Sequence, residues 1–458
     1  MQTEKNAIEE EKKNIQYDKM TKTPIPKLLL SLSIPTVITM LITSAYNMAD
    51  TAFVGMLGTS ASGAVGVVFG FMSILQAIGF FFGQGCGSIL SRELGAKDND
   101  GANRTASTGF FLSLSCSIIL AVVCALIMDP LISFLGSTPT IAPYAKIYLR
   151  FILLATPFIV PSFTLNNILR YEGKAKLGAV AMLVGALLNI AGDPIFMFGF
   201  NLGIAGAGLS TALAQTISFM VLLSMFLRGK TQIKLSIRLF DNSIKKILNI
   251  CGTGLPSLLR QSLGGLGVVI LNAVAKPYGD PAIAAMSIVT RVAFMEIAIG
   301  LGIGQGFQPI SSFNYGAGLY SRVREAYKDA FRVISILIIV LSVIVFIFSP
   351  EIVYALRHDA EVVAIGTRAL RLQSVAIVAL PFCMITEMLL QTTGNKAAAS
   401  FLSSARGGLL FIPTLIILAK LRGLAGIQEA QPVAYIISIV PSYIMNRRFF
   451  NNLPEDNK

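Results

Sequence analysis

The chain has 458 residues, of which 54% are hydrophobic and only 13% are charged. A typical globular domain carries about 25% charged residues, so this composition excludes most soluble enzymes and predicts that much of the surface faces lipid. A spanning helix needs about 20 mostly apolar residues, which leaves room for about a dozen spans. The formal net charge is +13. In a membrane protein, such an excess of Lys and Arg predicts cytoplasmic anchoring rather than a nucleic-acid partner.

The chain divides into polar ends and apolar segments. Residues 1–27 are polar and charged, which predicts a cytoplasmic tail rather than a signal peptide. Residues 447–458 predict a second cytoplasmic tail. Between them lie twelve apolar segments, at 28–52, 61–85, 107–128, 144–168, 178–200, 204–227, 247–275, 283–309, 331–350, 365–390, 398–419 and 424–446. The predicted fold class is therefore an all-α integral membrane protein with twelve transmembrane helices.

The placement of Lys and Arg predicts how the helices are oriented. These residues are concentrated in loops after even-numbered segments, and Arg92 and Arg406 are assigned to such loops. The positive-inside rule then predicts that these loops and both termini are cytoplasmic. The longest and most basic linker, residues 228–247, follows the sixth segment. It divides the chain into a predicted N-lobe at 28–227 and a predicted C-lobe at 248–446.

The two halves of the chain resemble each other at an offset of 221 residues. The matching pairs are Pro35 with Pro256, Gly83-Gln84-Gly85 with Gly304-Gln305-Gly306, Gly95-Ala96 with Gly316-Ala317, and Gly173 with Gly394. Six helices per half predict that both halves insert the same way round, as a parallel repeat about an axis along the membrane normal. This pattern is typical of a two-lobed transporter that rocks around a central cavity. Helix kinks are predicted at Pro35, Pro194 and Pro256.

Four acidic residues lie inside predicted spans: Asp50, Asp193, Glu296 and Glu387. Each costs at least about 3 kcal/mol at the bilayer centre, so each needs a partner, an aqueous cavity or a proton. Asp50 ends the first segment, where it is either an interfacial residue or part of an ion site. It has no acidic counterpart in the second half, and neither has Asp193, which favours a single ion site.

The fifth segment carries the most informative spacing. Asn189 and Asp193 are four residues apart and share one helix face. Pro194 lacks an N–H and leaves the carbonyl of Ile190 without its helical donor. This set of oxygens suits either Na⁺ or a proton. A helix kink with a capping Asp near the membrane edge is the alternative.

Charges also lie in the predicted spans of the second half. Glu296 follows Arg291 by five residues, and Arg260 in the seventh segment is a second candidate partner for Glu296. The sequence leaves open whether these three residues form a structural ion pair or line a substrate cavity. Glu387 is interpreted as a helix-end residue near the cytoplasmic side.

Motifs for catalysis or nucleotide binding are absent from the sequence. There is no Gly-x-x-x-x-Gly-Lys-Ser/Thr loop, and the one histidine, His358, falls in a predicted outer loop. The five cysteines lie in apolar segments without the spacing of metal ligands. The sequence thus predicts no enzyme and no cofactor, and it predicts that an ion gradient supplies the energy for transport.

Several of these stretches together resemble one family. They are Met48 to Gly55, Gly83-Gln84-Gly85, Leu188 to Gly199 with its Asn-x-x-x-Asp-Pro motif, and Asn314-Tyr315-Gly316-Ala317. The chain resembles the MATE (multidrug and toxic compound extrusion) transporters over nearly its whole length, and is similar to the bacterial DinF-like and MepA-like branches.

The resemblance implies two six-helix lobes that form a V around a central cavity. It implies a secondary antiporter that exports amphipathic or cationic drugs in exchange for H⁺ or Na⁺. The implied coupling site consists of Asp50, Asn189, Asp193 and Thr211, which would also bind Na⁺. The implied setting is a bacterial cytoplasmic membrane, with drugs and lipid as partners and a monomeric state. A dedicated exporter of one metabolite and a lipid-linked oligosaccharide flippase are the alternatives.

Overall fold

A computed structural model describes residues 2–456 and, among these, all side chains except those of residues 2–9, 12, 44, 45, 47 and 48. The described residues form helices joined by short loops and contain no strand. The first nine helices are α1 (Gln2–Lys22), α2 (Ile25–Gly55), α3 (Thr59–Gly95), α4 (Asn99–Leu126), α5 (Met128–Phe134), α6 (Ala142–Tyr171), α7 (Ala175–Pro194), α8 (Ile204–Leu227) and α9 (Ile244–Ala275). The remaining helices are α10 (Asp280–Gly316), α11 (Tyr320–Ile347), α12 (Ser349–Leu356), α13 (Ala360–Ile377), α14 (Leu380–Thr392), α15 (Lys396–Ser404), α16 (Phe411–Arg422) and α17 (Leu424–Asn451).

The predicted spans coincide with these helices. Ten helical stretches of the described chain are long and apolar enough to cross a membrane. The tenth predicted span corresponds to α13 and α14, which meet at a bend of 49°. The twelfth predicted segment is the 28-residue α17. The prediction of an all-α membrane protein with twelve spanning segments is confirmed.

Two other predicted spans each contain a π-helix. A π-helix at Ile195–Gly199 follows α7 directly after Pro194, where the missing N–H of the proline removes a helical hydrogen bond. A second π-helix, Ala405–Leu409, lies between α15 and α16. By contrast, α2 and α9 continue as α-helix through Pro35 and Pro256.

The helices form two compact units, and two of the helices belong to both. The first unit comprises residues 1–22 and 34–254, and the second comprises residues 23–33 and 255–458. The boundary inside α2 lies just before Ile34-Pro35, and the boundary inside α9 lies just before Leu255-Pro256. The two boundaries are 221 residues apart, which is the offset of the sequence repeat.

The repeated Gly-Gln-Gly motif accounts for this sharing of helices. In the first unit, a Cβ atom on Gly85 would collide with the backbone of α9 at Ile250 and lie 3.2 Å from the Cα of Gly254. In the second unit, a Cβ atom on Gly306 would lie 2.7 Å from the backbone nitrogen of Ser33 in α2. Only glycine permits such a close approach of two backbones. The motif therefore lets the N-terminal part of α9 pack closely in the first unit and the N-terminal part of α2 pack closely in the second.

Glu172, directly after α6, connects three segments of the first unit through its side chain and its backbone carbonyl. Glu172 is fully buried, and its Oε1 accepts a hydrogen bond of 2.6 Å from the backbone amide of Gln232 in the segment before α9. Lys174 forms an ion pair of 2.7 Å with the same oxygen. The backbone carbonyl of Glu172 accepts a bond of 2.8 Å from Gln16 in α1. The predicted N-terminal tail therefore includes a helix that packs on the first unit.

We expect Glu172→Ala to lower the free energy of unfolding by about 2 kcal/mol, because it leaves the backbone amide of Gln232 without its acceptor and breaks the ion pair with Lys174. The loss is measured by thermal unfolding in detergent. Limited trypsin digestion should show faster cleavage after Lys230 and Lys234, which lie in the segment that Glu172 holds. Glu455→Ala, at an exposed residue, is the matched control. Equal cleavage of the two variants would contradict the assigned role.

Glu172 also predicts how the stability of the protein changes with pH. Burial raises the pKa of Glu172, and Lys174 and the amide of Gln232 offset this only in part. The folded state thus holds the proton more tightly than the unfolded state. The stability that protonated Glu172 contributes is fully present below the pKa that this residue has in the unfolded state. It is lost as the pH rises through the pKa that Glu172 has in the folded state. The neutral variant Glu172→Gln should lack this fall in stability with rising pH.

Candidate functional site

The first unit contains a buried polar cluster of four residues from three helices. Asp50 lies near the end of α2, Asn189 and Asp193 lie on α7, and Thr211 lies on α8. Their exposed fractions are between 0% and 8%. The structure therefore brings together all four residues that the family resemblance implied, inside a unit whose helices are otherwise mostly apolar.

Hydrogen bonds hold three of these side chains in fixed positions. Asn189 Nδ2 donates to Asp193 Oδ1 and to Thr211 Oγ1, both at 3.2 Å. The first bond follows from the i, i+4 spacing on one helix face. The second joins α7 to α8. Both hydrogens of the amide are thus used, and the amide oxygen of Asn189 stays available.

The close approach of α7 and α8 depends on small residues. A Cβ atom on Gly192 would lie 2.6 Å from Ser210 Oγ, so a larger residue there would push α8 away. Ser210 Oγ itself donates to the backbone carbonyl of Asn189 at 3.2 Å. These contacts place Thr211 beside Asn189.

A tyrosine that the sequence analysis did not select joins the cluster. The hydroxyl of Tyr148 on α6 lies 3.5 Å from Asp50 Oδ2 and 3.5 Å from Thr211 Oγ1. Tyr46, one turn before Asp50, also lies near that acid and bonds to Gln215. Tyr46 shares a helix face with Asp50, and this spacing is a signal that sequence reasoning could have used. No comparable signal marks Tyr148 within its apolar segment.

The two acids of the cluster face each other. The carboxyl groups of Asp50 and Asp193 are close enough to act on each other electrostatically. The other groups that act on them include the amide of Asn189 and the hydroxyls of Tyr46, Tyr148 and Ser210, and no Lys or Arg of the described residues is among them. Two carboxylates at this distance repel each other unless a proton or a cation lies between them.

Three oxygen atoms of the cluster accept no hydrogen bond although they are buried. They are Asp50 Oδ1, Asn189 Oδ1 and Asp193 Oδ2. Buried polar atoms without a partner are rare and call for an explanation. Carboxylate and amide oxygens are the ligands of hard cations, and a carboxylate also binds a proton. The cluster thus has the donor set for either coupling ion.

The second unit buries a different group of charges. Arg260 Nη1 lies 2.6 Å from Glu387 Oε1, and Arg406 Nη2 lies 3.6 Å from Glu387 Oε2. Ser403 Oγ donates to the same carboxylate at 2.5 Å. Glu387 is 1% exposed. One carboxylate therefore compensates two guanidinium groups inside the spans.

This arrangement corrects four expectations from the sequence. Arg260 pairs with Glu387 and not with Glu296. Glu387 is not a solvated helix-end residue, because its side chain is fully buried in α14. Arg406 is not in a loop but in the π-helix between α15 and α16. Arg291 is exposed, so it does not compensate Glu296.

These observations define the class of protein. The chain has spanning helices throughout, a sequence repeat that runs through both of its units, and charged groups buried inside the spans. Intramembrane ionisable groups of this kind mark the ion and substrate paths of transporters. The molecule is a multi-pass membrane transporter.

Comparison with known proteins identifies the family. The MatE family model matches twice, at residues 35–195 and 256–417, and the two matches begin at the two repeat prolines. The chain is 27% identical to the multidrug export protein MepA of Staphylococcus aureus, over 89% of this chain and 90% of that protein. The chain belongs to the MATE family.

Solved structures agree with this assignment. A crystal structure of MATE in the bent conformation superposes with a TM-score of 0.90 at 25% identity, covering 96% of this chain and 98% of the other. A transporter of the MOP superfamily from Pyrococcus furiosus, described by a reverse polarity of its binding pocket, gives a TM-score of 0.89 at 25% identity, covering 95% and 98%. The expected family and its two-lobe architecture are confirmed.

Proposed function

We propose that the protein is a secondary multidrug exporter that exchanges H⁺ or Na⁺ for organic, often cationic, compounds. The observation that carries the coupling is the pair of facing acids, Asp50 and Asp193, with no Lys or Arg among the described residues that act on them. The name of the S. aureus relative, multidrug export protein, supports the substrate class. The proposed location is a bacterial cytoplasmic membrane, with both termini on the cytoplasmic side.

The pair gives a physical route from ion binding to a change in helix packing. Asp50 belongs to α2, whereas Asp193 belongs to α7. A proton or a cation between the two carboxyl groups holds these helices together. Loss of that ion leaves two like charges in a poorly screened site, which drives α2 and α7 apart. The ion thus favours one packing of α2 over another.

The remaining members of the cluster have supporting roles. Asn189 orients the Asp193 carboxyl through Nδ2 and offers its own oxygen to the ion. Thr211 and Tyr148 connect α8 and α6 to the same point. Exchange requires that ion and drug favour different conformational states. A drug that stabilises the packing without the ion would fulfil this condition.

Flux measurements in proteoliposomes test the proposal. The purified protein is reconstituted, and ethidium transport is followed under an imposed pH gradient or an imposed Na⁺ gradient, with the membrane potential clamped. We expect ethidium to move against its concentration gradient only when an ion gradient is present. Asp50→Asn/Asp193→Asn vesicles provide the control for coupling.

The outcomes separate the possibilities. Transport driven by the pH gradient alone assigns H⁺, and transport driven by the Na⁺ gradient alone assigns Na⁺. Transport that is equal without a gradient contradicts secondary active export. A panel of chemically different cationic dyes distinguishes multidrug export from the export of a single metabolite, since a dedicated exporter would leave most of the panel untouched.

A further inference from the structure

The buried ion cluster of the second unit carries more positive than negative charge. Arg260 lies at the midpoint of the 32-residue α9, and Arg406 lies in the π-helix between α15 and α16. Only 11% and 12% of their side chains are exposed. Both guanidinium groups face Glu387, which carries a single negative charge. Glu387 can therefore neutralise only one of the two arginines.

Arg406 has the weaker contact with this carboxylate. Its Nη2 lies 3.6 Å from Glu387 Oε2, which is longer than a normal hydrogen bond. Arg260, by contrast, lies 2.6 Å from Oε1, and Ser403 donates to that same oxygen. Within the part of the chain that the structure describes, no atom accepts a hydrogen bond from the guanidinium of Arg406. A guanidinium has five N–H donors in one plane, so Arg406 has donors for a further acceptor.

The other groups around Arg406 are ordinarily neutral. They are the thiol of Cys383 on α14 and the phenol of Tyr435 on α17. Tyr435 also acts electrostatically with Glu296, the other buried acid of this unit. Glu296 itself forms no ion pair with a base of the described residues. The positive charge of Arg406 therefore lacks a negative partner at hydrogen-bonding distance.

There is open space close to this charge. Gly407 follows Arg406, and a Cβ atom on it would lie 3.4 Å from the backbone nitrogen of Gly264 in α9. Gly264 comes one turn after Arg260, and a Cβ atom on Gly264 would meet nothing within 4 Å. A π-helix, such as the one that holds Arg406, is often found at functional sites. The junction of α9 with the π-helix thus combines an excess positive charge with room for a ligand.

The chemistry of arginine favours one class of ligand. A guanidinium matches a carboxylate with two parallel N–H···O bonds, and it is weakly hydrated, which suits a buried ion pair. A bound carboxylate would accept from the donors of Arg406 and bring the cluster to zero net charge. A cation would be repelled by the same excess charge. The cluster is therefore suited to an acidic group and not to the positive part of a drug.

We propose that Arg406, together with Arg260, binds the carboxylate of a transported compound. The substrates then include zwitterions, whose acidic group lies at this cluster, in addition to compounds that carry only positive charge. The transport of such compounds rests on the proposed function. The binding of a carboxylate does not.

Two dyes that differ only in a carboxylate test the binding. Tetramethylrhodamine has a free carboxylate, and its methyl ester lacks one. Binding of each dye to the purified full-length protein in detergent is measured by fluorescence anisotropy. We expect the wild type to bind the carboxylate dye about tenfold more tightly than the ester, the effect of a hydrogen bond to a charged group. Equal or weaker binding of the carboxylate dye would overturn the proposal.

Substitutions of Arg406 assign the effect to this residue. Arg406→Gln should bind both dyes with the affinity that the wild type has for the ester. Arg406→Lys keeps the charge without the planar fork and should retain part of the preference. Arg447→Gln, at an exposed arginine of α17, is the matched control and should retain all of it. Equal weakening of both dyes in Arg406→Gln would show that Arg406 only supports the fold, and would overturn the proposal.

A free anion is the other possible source of a carboxylate. Acetate is added to the purified protein, and thermal unfolding is followed in wild type and in Arg406→Gln. Protection by acetate that depends on Arg406, without a preference between the two dyes, would make the cluster a site for a small anion. That result would overturn the assignment to a transported compound.

Flux measurements separate this proposal from the proposed function. In proteoliposomes with an imposed ion gradient, the wild type should move both dyes, and Arg406→Gln should lose transport of the carboxylate dye alone. If the ester is transported and the carboxylate dye is not, zwitterions are not substrates, whereas the export of cationic compounds stands. If no gradient drives either dye, the proposed function fails, and anisotropy still decides whether Arg406 binds a carboxylate.

Discussion

Asp193→Asn should return the drug susceptibility of an efflux-deficient host to the level seen without the transporter. The substitution keeps the size of the side chain but removes a charge that faces Asp50. Without two acids, the site no longer changes between repulsion and attraction when the ion leaves or binds. The driving force on α2 is then lost although the fold is kept.

Growth inhibition by cationic dyes, measured beside the amount of tagged protein in the membrane, checks this result. Asp280→Asn is the matched control, because Asp280 is an exposed acid in the first turn of α10. The control should retain full resistance. Wild-type resistance of Asp193→Asn at equal expression would refute the coupling role of the pair.

Arg260→Met should lower the free energy of unfolding by about 2 kcal/mol, since it removes the 2.6 Å charge-assisted hydrogen bond to the buried carboxylate of Glu387. Glu387 would keep only the longer contact with Arg406 and the hydroxyl of Ser403. The midpoint of thermal unfolding in detergent measures the effect.

A double variant separates the ion pair from simple packing. Arg260→Met combined with Glu387→Gln removes both charges and keeps an acceptor for Ser403. We expect the double variant to be more stable than the sum of the two single losses predicts, because both single losses include the same Arg260–Glu387 contact. Strictly additive losses would show that Arg260 and Glu387 act independently.

The spacing of residues along one helix was enough to predict part of the first-unit cluster from the sequence. Asn189 and Asp193 share a helix face, and Pro194 directly precedes a π-helix. Asp50 was singled out as an intramembrane acid, but its place beside Asp193 depends on the packing of α2 against α7. Thr211 was reached only through the family resemblance. Tyr148 was missed, because contacts between helices leave no local trace in an apolar segment.

In the second unit, too, the sequence does not show which residues of different helices are in contact. Arg260 and Glu387 are 127 residues apart, and no pattern in either segment identifies the partner. Glu296, only 36 residues from Arg260, was the nearer candidate and proved wrong. Arg406 was counted with the loop residues, although it falls within the predicted segment 398–419. Its buried position depends on Glu387, which sequence reasoning had assigned to a helix end.

The sharing of α2 and α9 between the units has a consequence for biosynthesis. Ser33 leaves the ribosome early, yet its hydroxyl donates to the carbonyl of Ile303, 270 residues later. The first unit is likewise incomplete until Gly254 has been translated. Neither unit can therefore finish folding while the nascent chain holds only the first six spans. The helices that are already inserted therefore stay in the bilayer with part of their packing surface uncovered until translation of the second half supplies the missing helical turns.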